Sequence, residues 1–449
     1  MSTSTITSEK GHPPGLYLLF TVEMWERFSY YAMRAILILY ATALVNEGGL
    51  AMDKDFASKL YGWFTGIVYL TPLLGGYLAD NYLGGRKAIT IGGILMMLGQ
   101  FTLASYQDAT TFYIGLGLLA LGNGFFKPNI STIVGQLYAQ GDRRRDSAFT
   151  IFYMGINTGA LIAPLIMGMF EDGMYRYGFA IAGVGMGLGQ IIFNLAANKY
   201  LGKAGIEPEA RKKKREMKGQ QQVPLTKVEK ERLGVICILA IFTIAFWMSF
   251  EQAGSSMNLY ARDFIDRSMG SGEFKTSWFQ SVNPALILLL APLFSILWLQ
   301  LGARGKEPSI PIKMGMGLVL VGIGFLFLVG ACMQRGESFS TVITDTSIKA
   351  SMLWLVIAYV FHTMGELCIS PIGLSMVTKL SPPQFGSMMM GVWFFSIFIA
   401  NLAGGYVAAY VEVLGAYSVF FAISILCIVL GLLLLAVYKP IRKMMHGVQ

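Results

Sequence analysis

Charge is what this sequence of 449 residues is short of: Asp, Glu, Lys and Arg make up 14% of it, against about 25% in soluble globular chains. That shortage excludes a soluble fold of this length. Histidine is scarcer still, with His12, His362 and His446 as its three copies. No His/Cys/Asp/Glu spacing marks a metal centre, so neither a metal nor another cofactor is expected. The cysteines, Cys237, Cys332, Cys368 and Cys427, sit singly in hydrophobic runs and indicate no disulfide framework. No nucleophile–base pair stands out, so a membrane-embedded hydrolase or acyltransferase is disfavoured, no catalytic residue is assigned and the chain is not read as an enzyme. The polar start, MSTSTITSEK, leads straight into a long apolar run, and no cleavable signal peptide is expected.

What remains is oil-like: 54% of residues are hydrophobic and the mean hydropathy is +0.56. Apolar runs long enough to cross a bilayer recur throughout. Twelve spans are predicted, at 15–44, 57–80, 86–105, 110–138, 147–170, 177–198, 233–258, 278–301, 311–333, 351–378, 386–411 and 415–438. With both termini in the cytoplasm, 24 of the 35 Lys and Arg residues fall on that side and eight outside. This asymmetry sets the orientation of a multi-pass protein of the plasma (bacterial inner) membrane type. The net charge of +9 is then a topology signal. The run Arg211-Lys212-Lys213-Lys214-Arg215 reads as a contact with anionic membrane lipids, and no nucleic acid partner is expected.

One long polar stretch, residues 199–232, splits the chain into a six-span bundle over 1–198 and another over 233–449. Equal halves on a basic linker suit an all-α membrane protein of the major facilitator fold, twelve transmembrane helices in two six-helix bundles with the substrate between them. Gly76 to Asp80 followed by Gly84-Gly85-Arg86-Lys87 resembles that superfamily's loop between spans 2 and 3, with one extra residue. Two further helices between spans 6 and 7, present in many bacterial relatives, are not expected.

The informative residues are the charges inside the spans. Glu23, Glu26, Arg27 and Arg34 lie in the first, Lys127 in the fourth, Glu251 in the seventh and Glu366 in the tenth. A charge at the bilayer centre costs about 2.5–3.5 kcal/mol on insertion scales. Glu23, Arg27, Tyr31 and Arg34 recur at helical spacing on one stripe, which lines a watery cavity. Three cations against four acids should pair across that cavity, leaving one acid free to exchange a proton.

Glu23-Met-Trp-Glu26-Arg27-Phe28-Ser29-Tyr30-Tyr31 resembles the ExxERFxYY signature of the proton-coupled oligopeptide transporter (POT/PTR) family. Phe152 to Gly159 resembles its FYxxINxG signature. Phe246-Trp247, Glu251 to Ser256, Trp278 to Pro284 and Gly365 to Pro371 extend the likeness across nearly all spans. The resemblance implies proton-driven symport of di- and tripeptides into the cytoplasm by alternating access. Proton coupling would rest on Glu23, Glu26, Arg27 and Lys127. Arg27, Arg34 and Lys127 would hold the peptide carboxylate, and Glu366 with Asn157 and Asn283 the amine. Tyr30, Tyr31, Tyr69, Tyr153 and Trp393 would receive side chains, with helix packing as the competing reading for each, and Glu251 would gate the outer side. Partners are thus peptides, protons and lipids; the oligomeric state is not set, and a monomer suffices. Span 2 lacks the histidine with which some relatives relay protons, so carboxylates must carry them. His362, four residues before Glu366, reads first as a packing residue. Lys127 is expected to pair with Glu366 when peptide is absent. The alternatives are a proton-coupled transporter of another small anion or drug-like substrate, and a peptide sensor without transport.

Overall fold

Backbone groups inside a bilayer must be satisfied within the protein, and this chain does so almost wholly with helices. The computed structural model describes residues 11–139, 142, 144–208, 224–382 and 385–448. Lys10, Arg143 and the basic run from Arg211 to Arg215 lie outside the described residues. The first half contributes α1 (Pro14–Thr42), α2 (Lys54–Leu78), α3 (Gly85–Ser105), α4 (Ala109–Gln136), α5 (Arg144–Met167) and α6 (Tyr175–Tyr200). The second contributes α7 (Lys227–Phe250), short α8 (Ser256–Phe264), α9 (Phe279–Ala303), α10 (Ile310–Gln334), α11 (Met352–Leu380), α12 (Gly386–Ala409), α13 (Val411–Ala436) and short α14 (Tyr438–Met444).

Ten of these segments, among the described residues, are long and apolar enough to cross a membrane. The long helices α1 and α2 fall short for reasons visible in sequence. Four charges interrupt α1, and Gly, Tyr and Thr dilute the apolar face of α2. Helix α7 starts at Lys227, ahead of the expected 233, because Thr226 and Glu229 form a capping box there. The expected seventh span is also broken. Helix α7 ends at Phe250, Glu251–Gly254 make one 3-10 turn, and α8 continues from Ser256. Two-residue strand pairings, Ile265–Asp266 with Ala350–Ser351 and Ser268–Met269 with Gly272–Glu273, add a small extramembrane element that the sequence reading lacked.

Each half has its own apolar core. In the first, α1 packs on α5 and α6, α3 on α4 and α6, and α2 on α4; in the second, α10 packs on α11 and α13, and α7 on α12. Two helix pairs form the seam between halves: α2 with α12, and α5 with α9. At Gly62 and Gly405 the seam is so tight that a Cβ on Gly62 would stand 2.7 Å from the Gly405 Cα.

Polar contacts across the seam cluster at the end away from the 199–232 linker, here called the far side. Lys54 meets Asp263 at 3.1 Å, and Arg262 donates to the Thr42 hydroxyl at 2.9 Å. Asn258 and Gln280 both donate to the Ala35 carbonyl. Leu259 of α8 is buried in the first half's core. The far side is shut.

Candidate functional site

Below these contacts lies a cavity of about 220 Å³. Helix α1 presents Arg27, Tyr31 and Arg34 to it, α2 Tyr69, α4 Lys127, and α5 Tyr153 and Asn157. The second half faces them with Glu251, Asn283 of α9 and Glu366 of α11. Helical spacing alone explains the α1 contribution, since positions 27, 31 and 34 share one face.

The ion pairs are unequal. Arg27 takes Glu26 in a two-pronged grip, through Nε to Oε2 and through Nη2 to Oε1 at 2.6 Å. Its Nε also lies 3.5 Å from Glu23 Oε1. Glu23, Glu26 and Arg27 are 2%, 0% and 3% exposed, so two buried carboxylates depend on the one guanidinium they share. Glu23 Oε2 has no hydrogen-bond partner among the described residues. Asn123, one turn before Lys127, reaches Glu26 Oε1 at 3.4 Å.

Arg34 points to the seam. Its Nη2 donates to Glu251 Oε2 at 2.6 Å and its Nε to the Tyr61 hydroxyl at 2.8 Å. The break after α7 makes this possible: it turns Glu251 toward α1, and a Cβ on Gly254 would stand 1.9 Å from the Tyr61 oxygen. That glycine leaves room for the pair.

Lys127 has no ion pair within 4.0 Å among the described residues; its Nζ sits 5.0 Å from the centre of the Tyr69 ring. The expected Lys127–Glu366 pair is therefore not formed in this conformation. Glu366 Oε2 accepts instead from Asn283 Nδ2 at 2.9 Å, and the same amide donates to the Thr363 hydroxyl at 3.0 Å. Asn157 donates to the Tyr153 carbonyl on its own helix.

Two expected contacts do not reach the cavity wall. Tyr30 is 6% exposed and lies under the Arg27 guanidinium, 5.1 Å from ring centre. Trp393 is 3% exposed and packs on Gly373 of α11. An aromatic beside a membrane cavity and one in helix packing look alike in sequence. His362 is buried against Phe325, with ring centres 4.8 Å apart, and borders the cavity as well. The sequence reading passed over Tyr61, Gln280 and Tyr359. Spacing gave a signal for each: eight residues before Tyr69, three before Asn283 and seven before Glu366.

Such a site can hold opposite charges from opposite halves. The family model described as the POT family matches residues 86–217 and 207–420. A peptide transporter of Yersinia enterocolitica subsp. palearctica is 35% identical, covering 100% of this chain and 99% of the relative. A di-/tripeptide transporter of Lactococcus lactis subsp. cremoris is 34% identical over 98% of each. Among solved structures, a peptide transporter POT in complex with sulfate is 33% identical over 98% of this chain and 97% of the other, with a TM-score of 0.88. A mutant form of a peptide transporter POT in complex with alafosfalin, also 33% identical with the same coverage, gives 0.87.

Proposed function

This chain belongs to the POT family, whose members are transporters and not enzymes, and from that premise we propose that it imports di- and tripeptides together with protons. Its multi-pass helices span the membrane with the linker and both termini in the cytoplasm. The named relatives, peptide and di-/tripeptide transporters, support the substrate class. The observation that carries the reading is the division of charge across the cavity: Arg27, Arg34 and Lys127 line it from the first half, Glu366 from the second.

A peptide of any sequence offers two constants, a carboxylate and an ammonium. Lys127, with no acid in contact, takes the carboxylate. Glu366, steadied by Asn283, takes the ammonium. Side chains then lodge near Tyr31, Tyr69 and Tyr153, whose faces discriminate weakly. Binding both ends draws the halves together, and release of the far-side contacts reopens the cavity outward. The proton moves through the Glu23–Glu26–Arg27 cluster. When Lys127 or an incoming carboxylate changes the local field, a buried carboxylate gains or loses its proton. A facilitator for a simple anion has no use for Glu366 opposite the cations, which favours the peptide reading over that alternative.

Uptake of labelled dipeptide into proteoliposomes, with and without an inward proton gradient, tests this. Wild type should accumulate peptide only with the gradient. Glu26→Gln and Lys127→Ala should both lose accumulation, while counterflow survives in at least one. Gradient-independent accumulation by either variant, or accumulation of nitrate in place of peptide, would overturn the proposal.

A further inference from the structure

The end of α5 and the start of α9 are zipped across the far-side seam. Ser281 donates to the Leu161 carbonyl at 2.8 Å, and the Trp278 indole to the Leu165 carbonyl at 3.0 Å. A Cβ on Gly168 would stand 2.2 Å from that indole nitrogen. Beyond α5, Lys275 meets Asp172 at 2.5 Å. The centre of this zipper is Glu171, a first-half residue only 6% exposed. Its Oε1 accepts from the Thr276 amide at 2.7 Å, and its Oε2 from the Ser277 amide at 2.9 Å and the Ser277 hydroxyl at 2.5 Å. Arg267 stands 3.7 Å away.

The amides at a helix start have no partner within the helix, and a carboxylate there is stabilised by both hydrogen bonds and the helix dipole. Such a cap normally comes from the residue just before the helix. Here the turn leading into α9 belongs to one half and its cap to the other. The cap therefore exists only while the far side is shut. On opening, one buried carboxylate loses three donors at once.

We propose that Glu171 is a far-side latch of the transport cycle, a positioning residue that holds the shut conformation by capping the entrance to α9 across the seam. It acts beside Arg34–Glu251 but apart from the peptide cavity, whose wall does not include it. The proposal rests on the alternating-access reading given above.

Hydrogen–deuterium exchange on the full-length protein, with peptide uptake measured in parallel, tests it. Glu171→Gln keeps the shape and replaces one acceptor oxygen with a donor. The Thr276 and Ser277 amides should exchange at least tenfold faster, as should the end of α5. The linker-side start of α5 and end of α9 should exchange more slowly as that side closes. Glu171→Asp should restore part of both changes. Faster exchange on the far side without slowing on the linker side would mean a static cap and overturn the latch, as would unchanged exchange everywhere. If Glu171→Gln does not fold, Gly168→Ala pushes the same seam apart and must give the same reciprocal pattern. Wild-type protein that takes up no peptide would sink the transport reading instead, and the two failures are thus distinct.

Discussion

A single methyl group at Gly62 should shift the balance between the two faces of this protein. A Cβ there would stand 2.7 Å from the Gly405 Cα and 2.8 Å from the Asn401 carbonyl oxygen. Both are backbone atoms of α12, which cannot swing aside as a side-chain tip does. Overpacking of this kind costs about 1–3 kcal/mol. In the alternating access proposed above, opening the far side parts α2 from α12 at this level, so the strain falls on the shut state alone. Alanine also favours helix over glycine by about 1 kcal/mol, but α2 is helical in either state and that gain cancels. The ratio of open to shut protein should then rise by roughly 5- to 150-fold.

Pulsed electron paramagnetic resonance can read the ratio. Spin labels at Tyr106 and Ser271, both exposed on far-side loops of opposite halves, in a background with the native cysteines replaced, should show a longer distance population in Gly62→Ala. Gly76→Ala is the control. It lies on the same helix, and its nearest neighbours, carbons of Pro128, are 3.8 Å away, so it should leave the distribution unchanged. Equal shifts in the two variants, or none in Gly62→Ala, would show that this contact does not set the balance.

Glu366→Gln should weaken competition by free dipeptides in uptake assays by about 10- to 150-fold, the worth of a hydrogen bond to a charged group. An N-acetylated dipeptide, which brings no ammonium, should compete equally with both proteins. Outside the membrane, Asp108 caps α4, and its carboxyl is held below the usual range by the Thr111 amide, then the Thr111 hydroxyl and the Thr110 amide. A carboxylate lowered on folding adds stability above its unfolded value, about 3.9, and that stability is lost as pH falls through the folded value. Melting temperatures of wild type and Asp108→Asn, followed from neutral pH to about pH 3, should converge at the acid end; parallel curves would argue against it.

The intramembrane charges were legible because each one violates its surroundings. Glu23, Arg27 or Lys127 in an apolar run demands a reason; Arg27 and Lys127 line the cavity, while Glu23, on the same stripe as Arg27, is buried behind it. The helices were legible for the same cause, since apolar length leaves few other structures in lipid. Glu171 was silent by the opposite logic. It stands in a loop, where a glutamate is ordinary, and only the arrival of α9 from the other half gives it work. Trp393 misled because its apolar ring suits a cavity wall and a packed helix equally. Tyr61 was hidden behind Tyr69: it lies off the cavity wall, and only the approach of Arg34 gives its hydroxyl a partner.

Partner choice lies beyond the reach of sequence for a further reason: it belongs to a conformation and not to the residues. Three cations and four acids allow several pairings, and Lys127 with Glu366 was a sound one across the seam. In the far-side-shut state Arg27 instead holds both glutamates of its own helix, Arg34 holds Glu251, and Glu366 takes the Asn283 amide. Lys127 is left facing Tyr69. Apart from the Glu23–Glu26–Arg27 cluster, which holds one acid in excess, Lys127 and Glu366 border one cavity from opposite halves with opposite sign and no ion pair among the described residues. A ligand with a single charge relieves one of them and leaves the other buried without its counter-ion. A zwitterion relieves both, and only when it bridges the halves. On the function proposed above, selectivity for an unblocked peptide and closure around it are then one electrostatic event.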